Sequence, residues 1–225
     1  GVRRIPAVIG NMCAMERGRF ITFEGGAGCG KSTQVRRLAA ALAERGIEAV
    51  FTREPGGTRL AELIRGLLRE ELQDPPCDKA ELLLFLAARA QLVKNVIEPA
   101  LAAGKWVVSD RFSDSTFAYQ GYGRGLPLET LRVLNEFATS GLKPDLTLLL
   151  DVEPGTAQAR LRGREAATAT TADRIESAGS DFHARLRAGF LEMAAAEPER
   201  IVKIDANGSP DEVWERVWKS LRPFI

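Results

Sequence analysis

The 225-residue chain has a single histidine, His183, and only three cysteines, Cys13, Cys29 and Cys77, which lie far apart. An odd number of scattered cysteines builds no disulfide framework and fits a reduced, cytoplasmic compartment better, and no spacing among them suits zinc. No apolar run approaches the roughly 18 residues of a membrane-spanning helix. An excess of one charge is missing too: 31 Lys and Arg against 30 Asp and Glu leave a formal net charge of +1. That balance gives no reason to expect a nucleic-acid or membrane partner. There is no internal repeat and no low-complexity linker, so one compact domain is the expectation. Residues 1–16 read as a disordered lead-in. Arg3 and Arg4 precede a short apolar stretch broken by Pro6 and Gly10, a poor match to a secretory leader, and Met15 follows.

What is present is an alternation of strand and helix patterns. Short β-branched or aromatic runs at 19–24, 49–53, 106–109, 145–150 and 200–204 predict five strands. Helical periodicity predicts helices over 31–45, 59–72, 78–104, 114–120, 128–139, 154–162 and 173–196, with a last one begun by Ser209 and Pro210. Asp78 and Glu81 have the spacing of an N-terminal capping box. Residues 163–172, small and polar without period, read as a mobile loop. This pattern specifies an α/β fold, a doubly wound five-stranded parallel sheet flanked by helices. Such sheets bind ligands at the C-terminal ends of their strands. A glycine cluster, Arg53-Glu54 and Asp110-Arg111 all fall at such ends.

The glycine cluster, Gly25-Gly26-Ala27-Gly28-Cys29-Gly30-Lys31-Ser32, matches the phosphate-loop pattern in full and is followed by Thr33. Glycines let several backbone N–H groups converge on one concavity, and the following helix adds its positive end. Lys31 is expected to reach the β- and γ-phosphates of a nucleotide, and the Ser32 hydroxyl to ligate Mg²⁺. The motif alone says only that a nucleotide phosphate binds. The guanine-specific Asn-Lys-x-Asp motif is absent, which disfavours a GTPase.

The acceptor side is more specific. Phe85 and Arg89 are i, i+4 and share a helix face, as do Thr116 and Gln120. A ring there can stack on a base while the guanidinium reaches its edge. Arg89 also sits among Leu and Ala, where an arginine needs a partner or a ligand. The segments FITFEGGAGCGKST, TREPGGT, LLFLAARAQL, DRFSDSTFAYQGYGRG, PDLTLLLDV and DRIE occur in the order of the thymidylate kinase family, which the chain resembles from about Phe20 onward. The resemblance implies a P-loop nucleoside-monophosphate kinase domain over 17–225 that acts on dTMP and ATP. It further implies a homodimer and a mobile lid at about 160–173.

By the same resemblance Arg111, Arg53 and Arg65 hold the acceptor phosphate. Glu54 and Ser115 line its site, Thr116 and Gln120 meet the base edge, and Tyr119 packs under the sugar where a 2′-hydroxyl would clash. Asp110 resembles the carboxylate that meets Mg²⁺ through water. The family carries a catalytic arginine either in the phosphate loop or in the lid. This loop has none, so Arg160, Arg162 and Arg164 are expected to supply that charge in the lid. Two departures stand out: Ala27 replaces an acid usual at the sugar end of the acceptor, and 166–172 lengthen the lid. A kinase of another nucleotide or deoxynucleoside, and an inactive nucleotide-binding module, remain alternatives.

Overall fold

The computed structural model describes residues 17–70, 72–168 and 179–225, with 164–168 described by backbone alone. The expected lead-in and the lid stretch that includes Asp173 and Arg174 lie outside the described residues.

The first strand, β1 (Phe20–Glu24), is wholly buried, as a central strand covered on both faces must be. After the glycine loop come α1 (Lys31–Glu44) and β2 (Ala49–Arg53). Next are α2 (Arg59–Arg69), α3 (Asp78–Leu92), a π-helical turn at Val93–Ile97 and α4 (Glu98–Ala102). Strand β3 (Trp106–Asp110) leads into α5 (Ser113–Thr116), whose helix continues as a π-turn over Phe117–Gly123. The remaining elements are α6 (Leu128–Thr139), β4 (Leu146–Asp151), α7 (Pro154–Thr168), α8 (Ser180–Ala196), β5 (Ile201–Asp205) and α9 (Pro210–Leu221).

The five strands among the described residues are all parallel, in the order β2-β3-β1-β4-β5. Alternation along β1 sends Ile21 and Phe23 to one face, into a core with Leu38 and Leu42 of α1 and Val213 and Val217 of α9. Phe20 goes to the other face, with Leu92, Ile97 and Phe112. The chain visits β2 and β3 on one side of β1 and then crosses to β4 on the other. The succession therefore reverses around the strand whose C-terminal end carries the glycine loop, the usual ligand position in such a sheet.

Three expectations need correction. The helix predicted over 78–104 is interrupted by the π-turn. Residues 163–168 continue α7 instead of forming a loop: Arg164, Glu165, Ala166 and Ala167 are strong helix formers and outweigh Gly163. The capping box at Asp78 and Glu81 does not form either. Cys77 is the N-cap, which moves Glu81 one place too far along, and its carboxylate turns inward.

Candidate active site

The glycine loop takes its shape from residues with positive φ, among them Gly28 (75°), where a Cβ would meet Ala157 O at 2.5 Å. That closeness seats the loop against α7. Lys31 Nζ folds back onto the loop, 3.0 Å from both Gly25 O and Gly26 O and 3.4 Å from Cys29 Sγ. Ser32 Oγ donates to Asp110 Oδ2 at 3.1 Å, so the two residues expected near a cation do meet. Their hydroxyl and carboxylate oxygens are hard donors of the kind Mg²⁺ accepts.

Arg111 follows β3 with φ 77°, a conformation costly for any residue but glycine. Its N–H bonds Phe23 O, and its Nη1 donates to Gly25 O and Ser115 Oγ, both at 3.1 Å. The guanidinium lies 4.9 Å from the Tyr119 ring. The turn is anchored by Glu24, which accepts from Phe112 N (2.8 Å), Ser115 N (3.1 Å) and Ser115 Oγ (2.6 Å). Burial, with Asp114 adding to it against the pull of Arg111, pushes the Glu24 carboxyl up to about 7.

Beside this turn opens a cleft lined by Glu54, Pro55, Arg65, Leu68, Arg69, Phe85, Arg89, Arg111, Ser115, Thr116, Tyr119 and Gln120. Nine of the ten acceptor residues expected from sequence are in this lining. The exception is Arg53: exposed at the end of β2, it pairs with Glu62 at 3.0 Å. Arg65 Nη1 donates to Pro55 O.

Arg89 is 1% exposed, and all its N–H groups are engaged. Nε and Nη2 reach the Glu54 carboxylate at 2.5–3.1 Å, and Nη2 also bonds Phe112 O. Nη1 donates to Thr116 Oγ1 (2.7 Å) and to Asn135 Oδ1 (2.5 Å). Burial raises the Glu54 carboxyl above the ordinary carboxylate range, although Arg89 pulls it down.

Asn135 was not foreseen, but the signal was there: a polar residue inside the apolar stripe of α6, between Leu131 and Ala138. Glu24 and Glu81 are similar cases. Glu81, 1% exposed, accepts from Gln120 Nε2 at 3.0 Å and pairs with Arg124.

A second cavity, of about 750 Å³ and mostly apolar, lies between the glycine loop, the end of β4, α7 and α8. Ala27 lines this cavity and is not among the residues of the Arg89 cleft. His183 is half-buried here with its ring against Phe182. Of the lid arginines, Arg160 donates to Ala206 O (3.1 Å) and Gly208 O (2.9 Å), on the loop after β5. Arg162 is exposed, and the side chain of Arg164 lies outside the description.

A phosphate loop at the reversal point of a parallel sheet, with an arginine-rich cleft at its side, defines a P-loop protein of the nucleoside-monophosphate kinase fold. The sequence model of the family described as thymidylate kinase matches residues 23–217. A thymidylate kinase from Synechococcus sp. (strain JA-3-3Ab) is 52% identical over 92% of this chain and 96% of its own. One from Solidesulfovibrio magneticus is 51% identical over 88% and 96%. The crystal structure of thymidylate kinase from Ehrlichia chaffeensis superposes with a TM-score of 0.74 at 35% identity, covering 92% of this chain and 99% of that one. The chain belongs to the thymidylate kinase family.

Proposed function

We propose that the chain transfers the γ-phosphoryl group of ATP to dTMP, giving dTDP and ADP for dTTP synthesis. The observation that carries this reading is the placement of one cleft, with an aromatic ring, a base-edge set and arginines, directly beside the phosphate loop. Phe85 stacks on the thymine, and Arg89, Thr116 and Gln120 meet its edge. Tyr119 packs under the deoxyribose, and Ser115 and Glu54 support the wall. Arg111 and Arg65 hold the acceptor phosphate, with Arg53 at the rim, since planar guanidinium groups suit phosphate oxygens.

Residues 25–33 cradle the ATP phosphates, and Lys31 neutralises the β- and γ-oxygens. Ser32, and Asp110 through water, would hold Mg²⁺, which would supply positive charge against the phosphate oxygens. The transferring group spreads negative charge over its oxygens, and Arg160, Arg162 and Arg164 of the lid are the cations available to meet it. Lid closure excludes water, the competing acceptor.

The active form is a homodimer. Leu60, Leu63 and Leu67 of α2, Leu83 of α3 and Val133 and Phe137 of α6 are exposed apolar side chains on helices of which α3 packs against both others, Phe137 being 86% exposed. A second copy would cover them. No helix among the described residues is long and apolar enough to cross a membrane, and free cysteines such as Cys77 suit the cytoplasm. The test is an ADP-release assay with ATP and, in turn, dTMP, dUMP, dCMP and thymidine. Turnover with dTMP well above the others is expected. ADP release independent of any acceptor refutes the reading.

A further inference from the structure

Glu81 has no part in the phosphoryl chemistry, yet it is 1% exposed at the back of the base cleft, where α3 faces the π-turn over Phe117–Gly123. Its Oε1 lies 3.0 Å from Gln120 Nε2. Arg124 approaches both oxygens, Nε to Oε1 at 3.4 Å and Nη2 to Oε2 at 3.3 Å. Arg124 is itself fixed, with its guanidinium 5.2 Å from the Phe182 ring and its Nε 3.5 Å from Asp78 Oδ1.

A carboxylate paired to an arginine has only acceptors to offer. The Gln120 amide must therefore present its NH₂ to Glu81. The reversed amide would set a carbonyl oxygen against a buried carboxylate and lose a hydrogen bond to a charged group. Gln120 is 2% exposed and lines the cleft that also holds Arg89 and Thr116. With its nitrogen committed to Glu81, its remaining acceptor, Oε1, is the atom on the opposite limb of the amide.

We propose that Glu81 is a positioning residue that fixes the hydrogen-bond polarity of the base cleft, turning Gln120 Oε1 toward the N3–H of a 4-oxo pyrimidine and against a 4-amino one. The inference rests on the dTMP reading and deepens it. Thymine offers a donor at N3, which the amide acceptor matches, and an acceptor at O4, which the hydroxyl of Thr116 or a shared N–H of Arg89 matches. Cytosine inverts both positions, with a donor at N4 and an acceptor at N3. The rejection of dCMP is then set one residue behind the residue that touches the base.

The test compares kcat/KM for dTMP and dCMP in the parent, in Glu81→Gln, in Gln120→Leu and in the double variant. In Glu81→Gln the amide of Gln120 is no longer forced into one orientation. The dTMP-to-dCMP preference should fall about tenfold, the value of one hydrogen bond to a charged group, while KM for ATP stays the same. In the Gln120→Leu background there is no amide to orient, so Glu81→Gln should leave the ratio unchanged. An unchanged preference in the single variant, or an equal change in both backgrounds, overturns the proposal. If Glu81→Gln does not fold, binding of N3-methyl-dTMP to the parent decides. Loss of about tenfold or more against dTMP supports the proposal, and equal binding overturns it. A parent that does not phosphorylate dTMP refutes the kinase reading itself, a result distinct from a kinase with an unchanged preference.

Discussion

Replacing Arg89 by alanine should produce two separable losses, because this side chain serves the protein and the proposed ligand at once. It is 1% exposed, and its partners are the carboxylate of Glu54, the Asn135 amide oxygen, Thr116 Oγ1 and the Phe112 carbonyl. Alanine leaves Glu54 as an unpaired buried carboxylate. Breaking a buried pair from one side costs about 3–5 kcal/mol. In a chain of this size each kcal/mol shifts Tm by roughly 2–4 °C, so a fall on the order of 10 °C is expected by calorimetry.

The penalty has a pH sign. Burial already raises the Glu54 carboxyl, and removing Arg89 removes the opposing pull. A carboxyl whose folded pKa lies above its unfolded one holds its proton longer in the folded state. Its stabilising contribution is present below the unfolded pKa and lost as pH rises through the folded one. The Arg89→Ala variant should therefore be closer to the parent at pH 5 than at pH 8. The double variant Arg89→Met, Glu54→Leu replaces the pair with apolar side chains and should recover most of the Tm, yet it should keep a high KM for dTMP with KM for ATP unchanged. A parent-like Tm in Arg89→Ala would refute the buried-pair reasoning. A recovered KM in the double variant would remove Arg89 from base recognition.

Other outcomes follow from the same geometry. Lys31→Ala should lower kcat by on the order of 100-fold or more, since it removes the charge proposed to sit on the β- and γ-phosphates; near-parent turnover in steady-state assays would contradict that role. The double variant Arg162→Ala, Arg164→Ala should lower kcat more than it raises either KM, because a lid contact forms mainly in the transition state; full activity would leave the transferring charge without its cations. Glu24→Gln should flatten the pH dependence of stability. In the parent the carboxyl rises from 4.5 to about 7 on folding, so about 3 kcal/mol of stability should be lost as pH climbs through that window. Chemical denaturation at pH 4.5 and 7.5 measures it, and parallel profiles for parent and variant would refute the assignment.

Periodicity and turn chemistry made the strands, most helices and the glycine loop readable, because those signals are local. The i, i+4 spacing of Phe85 with Arg89, and of Thr116 with Gln120, put each pair on a shared face, and the cleft contains all four. What stayed hidden was non-local. The Asp78-x-x-Glu81 spacing fits a helix cap in isolation, but Gln120 and Arg124, 39 and 43 residues away, draw Glu81 inward instead. Nothing near Glu24 announces that it will hold Phe112 and Ser115, 88 and 91 residues on. The common trace is a polar residue where the pattern asks for an apolar one, as with Glu24 in FITFE and Asn135 in α6. Such a residue marks a buried network, but not its partners.

Arg89 shows why that mark is ambiguous. An arginine in an apolar stretch requires a partner or a ligand, and here the protein supplies the partner for every donor. The base end of the cleft is therefore built before any ligand arrives. Glu54, Asn135 and Thr116 hold Arg89, and Glu81 holds Gln120. The phosphate end is different. Lys31 bonds its own loop carbonyls and Ser32 bonds Asp110. A lysine that serves phosphates must exchange those carbonyls for phosphate oxygens, and a serine that ligates a cation must release the aspartate. In the proposed transfer the exposed Arg162 would move with its helix to meet the transferring group. Differential recognition of the base should then reside in rigid, pre-satisfied groups, whereas the rate should depend on rearrangement of the loop and lid.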